Sequence, residues 1–194
     1  MGMLKILVID EVQERALEIC EGLTRAGHMV AAVLPDAFGL VERIQDVQPD
    51  VVLINTDSPS RDTLEHIAAM NASFPRAVLM FSEDSGDDAI RQAMRAGVSS
   101  YVVDGLEPAK LSSLLRVATA HFDEFMALRR ERDEAQRKLS ERVIVDRAKG
   151  VLMKARGMGE DEAYHALRKL AMERGRKLVE VAEEVLASAK LLLG

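Results

Sequence analysis

Two groups of side chains in this 194-residue chain are suited to chemistry. One is cationic: Lys149, Arg168, Lys169, Arg174, Arg176 and Lys177 lie close together in the sequence. Ammonium and guanidinium groups are the natural partners of phosphate oxygens. The other is a scattered polar set, in which the adjacent carboxylates Asp10-Glu11, then Asn55, Ser82 and Asp104, each follow an apolar run. Two neighbouring carboxylates could hold a divalent cation weakly, or be solvated acids at the end of a strand. No nucleophile–base set, phosphate loop or metal-ligand cluster is recognisable, so neither catalysis nor a cofactor is expected. His28, His66, His121 and His165 lack ligand spacing and read as surface or packing residues.

The elements that must position these residues are legible from periodicity. Lys5 to Ile9, His28 to Val33, Val51 to Ile54, Ala77 to Phe81 and Ser100 to Val103 read as five short strands. Between them, Glu14 to Ala26, Ala37 to Val47, Arg61 to Ala72 and Asp87 to Ala96 have helical spacing, and Pro108 opens a fifth helix. In the first helix Ala16, Leu17, Ile19, Cys20 and Leu23 fall on one side, which marks Cys20 as a buried structural thiol. Strands alternating with helices call for a doubly wound, five-stranded parallel sheet, an α/β fold whose ligands gather at the carboxyl ends of the strands. Asp10, Glu11, Asn55, Ser82 and Asp104 all fall there.

That stretch resembles a two-component receiver domain, which has the flavodoxin-like form of this fold. Receivers carry an acidic pair after the first strand, matched by Asp10-Glu11, and a Ser or Thr after the fourth, matched by Ser82. The phospho-accepting Asp lies in a pattern like Pro-Asp-(apolar)₄-Asp-x-x-x-Pro, and here Pro49-Asp50-Val51-Val52-Leu53-Ile54-Asn55-Thr56-Asp57-Ser58-Pro59 puts Asn55 at the acceptor position. The Lys expected after the fifth strand is replaced by Asp104. An amide oxygen cannot form an acyl phosphate, so the resemblance implies a pseudo-receiver with a degenerate crevice. Asp57 is the alternative acceptor. The segments Asp57-Ser58-Pro59-Ser60-Arg61-Asp62-Thr63 and Tyr101-Val102-Val103-Asp104-Gly105-Leu106 resemble the nitrate/nitrite-responsive, NasT-like branch of the AmiR/NasT regulators. That resemblance implies a nitrate-binding partner protein that holds the regulator inactive.

From Pro108 to Arg156 no proline intervenes, and Leu114, Ala118, His121, Phe125, Leu128, Arg132, Ala135 and Leu139 recur in alternating steps of four and three. This is a heptad seam, interrupted by two polar residues, and it predicts a parallel coiled-coil homodimer, or else one long helix packed on its own domain. Three helical faces follow. Val143, Ile144, Ala148, Val151, Leu152 and Ala155 form the first; Ala163, Ala166, Leu167 and Leu170 the second; Leu178, Val181, Ala182, Val185 and Leu186 the third. Met153 and Met172 are expected in their core.

The words Ala148-Lys149-Gly150-Val151-Leu152-Met153 and Ala163-Tyr164-His165-Ala166-Leu167-Arg168-Lys169-Leu170-Ala171-Met172 resemble the ANTAR domain, a three-helix module. The resemblance implies binding of paired RNA hairpins in a leader transcript and antitermination of transcription. The residues suit this. Tyr164 and Arg168 stand four apart on one helical face, where ring and guanidinium could reach a splayed base, unless Tyr164 is a packing residue. Gly150, costly inside a helix, permits close approach by RNA or by a neighbouring helix.

Composition sets bounds on this reading. Net charge is −6, yet Ser140 to Lys177 carries ten basic and six acidic side chains, so an acidic module bears a basic one. One cysteine permits no intrachain disulfide, the opening residues turn polar too soon for a signal peptide, and no apolar run reaches the ~18 residues of a membrane span. A cytoplasmic protein is expected, with domains at 1–120 (pseudo-receiver), 121–140 (coiled-coil linker) and 141–194 (ANTAR, RNA-binding). Two alternatives stand beside it: a phospho-regulated DNA-binding response regulator, and a protein-interaction adaptor whose basic helices bind an acidic partner.

Overall fold

The structure, a computed structural model, describes residues 2–103 and 110–193. Asp104, expected in the crevice, and Pro108, expected to open a helix, lie outside the described residues. The chain divides into two compact units, residues 1–126 and 127–194.

The first unit alternates β1 (Lys5–Asp10), α1 (Gln13–Arg25), β2 (Met29–Leu34), α2 (Leu40–Val47), β3 (Val51–Thr56), α3 (Arg61–Ser73), β4 (Ala77–Ser82), α4 (Asp87–Ala96) and β5 (Ser100–Val103), followed by the start of α5 (Leu111–Arg156). All strand pairs are parallel, in the order β2-β1-β3-β4-β5. The central strands are apolar throughout because both faces of the sheet are covered. Leu7, Ile9, Val52, Ile54, Val78 and Met80 pack against Ile44, Ile67 and Met70 on one face. Ile6, Val8, Leu53, Leu79 and Phe81 pack against Ile19, Leu23, Leu111, Leu115 and Ala118 on the other. Strand alternation thus sends neighbouring residues to opposite cores.

Several boundaries differ from the sequence expectation, each with a local cause. α2 starts at Leu40 rather than Ala37, because the Asp36 carboxylate accepts a hydrogen bond from the Phe38 N–H and Gly39 is left-handed at φ 66°. β3 runs on to Thr56 and β4 to Ser82, so Asn55 and Ser82 belong to the ladder itself, paired with Asp10 and Thr56 respectively. In α1 the buried stripe is Ala16, Ile19 and Leu23; Leu17, expected beside them, is exposed. Cys20 is half-buried rather than buried, and that partial burial raises its thiol pKa.

The second unit comprises the remainder of α5, α6 (Glu160–Arg174) and α7 (Leu178–Leu193). Its core is Ala148, Leu167, Ala171, Val181 and Ala182. α6 opens with three acids in its first turn, where the helix dipole favours negative charge, and the Glu162 carboxylate accepts from the Gly159 N–H at 2.9 Å. It closes at Gly175, left-handed at φ 62°, a conformation that L side chains adopt only at a cost. Met153 and Met172, expected in the core, are exposed, Met172 by 73%. The core of this unit is closed by small and branched side chains instead. On α5, Phe125, Leu128 and Leu139 of the heptad seam are exposed by 58%, 57% and 61%. Among the described residues no helix is long and apolar enough to cross a membrane.

Candidate functional site

In the second unit, α5, the beginning of α6 and the entry to α7 enclose a groove of about 610 Å³. Tyr164 reaches it from α6, Lys177 from the α6–α7 connection, and Lys149 from α5. The tyrosine is 38% exposed, so it is not a core packing residue. The structure adds three cations that the sequence reading passed over, Arg137, Lys138 and Arg142. A signal for them existed: Lys138, Arg142, Val145 and Lys149 follow steps of four, three and four, one face of a single helix.

The electrostatics of the groove are restrained by its own acids. The Lys149 Nζ donates to Asp146 Oδ1 and to Glu160 Oε1, both at 2.7 Å. These hydrogen bonds, Asp146's first, raise the pKa of Lys149, and the same Lys149 contact lowers that of Asp146. Arg137 pairs with Glu141 at 3.2 Å and Lys138 with Glu134 at 2.8 Å. Lys177 forms no ion pair or side-chain hydrogen bond among the described residues.

The other cations expected to meet phosphate are dispersed. Arg168 and Lys169 are exposed on α6; Arg168 has no charged partner among the described residues, and Lys169 stands 3.9 Å from Glu173. Arg174 donates to Glu184 at 2.7 Å, and Arg176 to Glu180 at 3.0 Å and also to Glu184. These two arginines therefore tie the α6–α7 turn to α7. A Cβ built on Gly150 meets nothing within 4 Å, so no neighbouring helix of this chain requires a glycine there.

The strand-end crevice of the first unit is already filled by its own donors. The Asp10 side chain is fully buried at the end of β1. Its Oδ2 accepts from Asn55 Nδ2 at 2.7 Å, and its Oδ1 accepts from the Val12 N–H at 2.8 Å and from Arg15 Nη2 at 3.1 Å. Arg15 Nη1 reaches on to Asp57 Oδ1 at 2.6 Å. Ser82 Oγ donates to the Asp57 carbonyl at 3.0 Å and accepts from the Asp84 N–H. Glu11 is exposed and stands apart from this network. Arg15 was missed in the sequence, although a cation in the helix turn after an acidic pair is a readable hint. Among the described residues no three acids, histidines or cysteines are grouped to hold a metal ion.

Residues 133–186 match the ANTAR domain family. Over 182 residues, 94% of this chain and 89% of the relative, the chain is 26% identical to the transcriptional regulatory protein PdtaR of Mycobacterium tuberculosis. Over 48 residues, 25% of this chain and 12% of the relative, it is 46% identical to the nitrate regulatory protein of Klebsiella oxytoca. In fold it is similar to the signal receiver domain of the response regulator NarL from Mycobacterium tuberculosis, with a TM-score of 0.54 at 20% identity over 61% of this chain and 98% of that one.

Proposed function

Since the chain belongs to the ANTAR regulators of the AmiR/NasT type, a receiver fold followed by an ANTAR domain, we propose that it is an RNA-binding transcription antiterminator. The observation that carries this reading is the α5–α6–α7 groove, which brings Lys149, Tyr164 and Lys177 together within the ANTAR match. An exposed aromatic ring beside ammonium groups suits an unstacked loop base with its flanking phosphates, the form in which RNA sequence is usually read. Arg168, Lys169, Arg142 and the open surface at Gly150 extend the contact. Lys149 has to exchange its carboxylate partners for phosphate oxygens, so phosphate binding there is a substitution of one anion by another. Arg174 and Arg176 support the site by fixing the turn that presents Lys177. Two hairpins would engage two copies, joined through the exposed heptad seam of α5.

Control by a protein partner, a nitrate-sensing inhibitor, fits the first unit better than control by aspartate phosphorylation. Asn55 cannot form an acyl phosphate, and Asp57, the alternative acceptor, is engaged by Arg15.

Fluorescence anisotropy tests the reading: the whole chain is titrated into a two-hairpin leader RNA and, separately, into a duplex DNA of the same sequence, at low and moderate salt. Tight, salt-sensitive RNA binding with weak DNA binding is expected. Equal binding to the DNA favours a DNA-binding regulator, and binding to neither favours the adaptor reading.

A further inference from the structure

We propose that Arg15 is the resident cation of the receiver-fold crevice, its guanidinium taking the place between Asp10 and Asp57 that a divalent cation needs. The inference is independent of what the second unit binds.

A receiver fold implies a divalent cation at this crevice, and the residues present do not fit one. A hard cation such as Mg²⁺ or Mn²⁺ needs carboxylate oxygens with free lone pairs and near-octahedral room around it. Asp10 is short of both, since its side chain is fully buried and each of its oxygens already accepts a hydrogen bond. Its Oδ2 is taken by the Asn55 amide, which must turn its nitrogen inward because a carboxylate only accepts. Its Oδ1 is shared between the Val12 N–H and the Arg15 guanidinium, whose Nε also stands at 3.3 Å. Asp57 gives its Oδ1 to the other arm of the same guanidinium. A planar fork that touches two carboxylates bridges them as one ion would, although it offsets only one of their two charges, and it is tethered, so no concentration of free metal is required. Asn55 contributes here as well: an aspartate at that position would set a third carboxylate against the buried Asp10, which the single charge of Arg15 could not balance.

The bridge also fixes the surrounding backbone. The Asp57 carbonyl accepts from Ser82 Oγ and from the Glu83 and Asp84 N–H groups, and the Asp84 carbonyl accepts from the Tyr101 hydroxyl at 2.8 Å. Arg15 thus closes a chain of hydrogen bonds that runs from β1 to β5 across the carboxyl edge of the sheet.

The test uses the whole chain and Mn²⁺, followed by the loss of its free electron-spin-resonance signal and by thermal unfolding. The wild type is expected to show no saturable site and no rise in melting temperature with Mn²⁺. Arg15→Gln is expected to gain a site at least about tenfold tighter, with a melting temperature that climbs with Mn²⁺, and Asp57→Asn added to it is expected to remove the gain. A saturable wild-type site that Asp10→Asn abolishes overturns the proposal. So does an Arg15→Gln protein that binds Mn²⁺ no better than the wild type. Should Arg15→Gln fail to fold, Arg15→Lys, which keeps the charge without the two-armed geometry, is read in its place: tighter Mn²⁺ binding than wild type supports the resident cation, and equal binding overturns it.

Discussion

At Tyr164 and Gly150 the sequence identified unusual residues but left each with two meanings, core or contact. Tyr164 is 38% exposed at the groove and no neighbour crowds the glycine, so both positions have room for a contact. Base–aromatic stacking is worth about 1–3 kcal/mol per base. Tyr164→Ala should therefore weaken hairpin binding by roughly 5- to 150-fold, while Tyr164→Phe stays near wild type and circular dichroism is unchanged in both. A loss of helix content equal to the loss of binding would return Tyr164 to a structural role. Gly150→Ala should raise the stability of the second unit by up to about 1 kcal/mol, since alanine is the better helix former and its Cβ has room. If the bare backbone is an RNA contact, affinity for the hairpins falls as the melting temperature rises. A stabilised variant with unchanged affinity would remove Gly150 from the interface.

The elements were more legible than their surfaces. Every strand and helix follows from apolar spacing and from glycine or proline punctuation. The misjudged details, the start of α2 and the outward faces of Leu17, Met153 and Met172, depended on the turn made by Asp36 and the left-handed Gly39 and on which stripe met the core. The Asp146–Lys149–Glu160 triad joins α5 to the start of α6, and its pH dependence has a definite sign. Asp146 is held below its ordinary 3.8, so its contribution is present above that pH and lost as pH falls through the lowered value. Lys149 is held above 10.5, so its contribution is present below that pH and lost as pH rises through the raised value. Thermal melts should show a constant difference between wild type and Lys149→Met from about pH 5 to pH 9, narrowing in acid below Asp146's ordinary range. A steep change within the neutral window would mean that other groups control this joint. For the exposed seam of α5, Leu128→Lys with Leu139→Lys should convert a dimer to a monomer in sedimentation velocity, because charge at core positions of a coiled coil is not solvated. A wild type that already sediments as a monomer would refute the seam as an interface.

At the scale of the whole molecule, a receiver fold that carries Asn55 at the acceptor position precedes the ANTAR match. Incubation with a small-molecule phosphate donor should leave the intact mass unchanged, because Asn55 is not a nucleophile and Asp57 is held by Arg15. One added phosphoryl group mapped to Asp57 would make the first unit a working receiver. The sequence by itself determined the doubly wound sheet, the three C-terminal helices, the ANTAR words and the absence of an acceptor aspartate at residue 55. These are properties of residue type and local period, written along one segment at a time. Only the tertiary structure decided that Arg15 bridges Asp10 and Asp57, that Lys149 is already paired, and that Arg137, Lys138 and Arg142 share a groove with Tyr164. Each of these depends on which charged side chain meets which when distant segments pack. Arg15 and Asp57 are 42 residues apart, and hydrophobic spacing, which sets the fold, carries no record of that meeting.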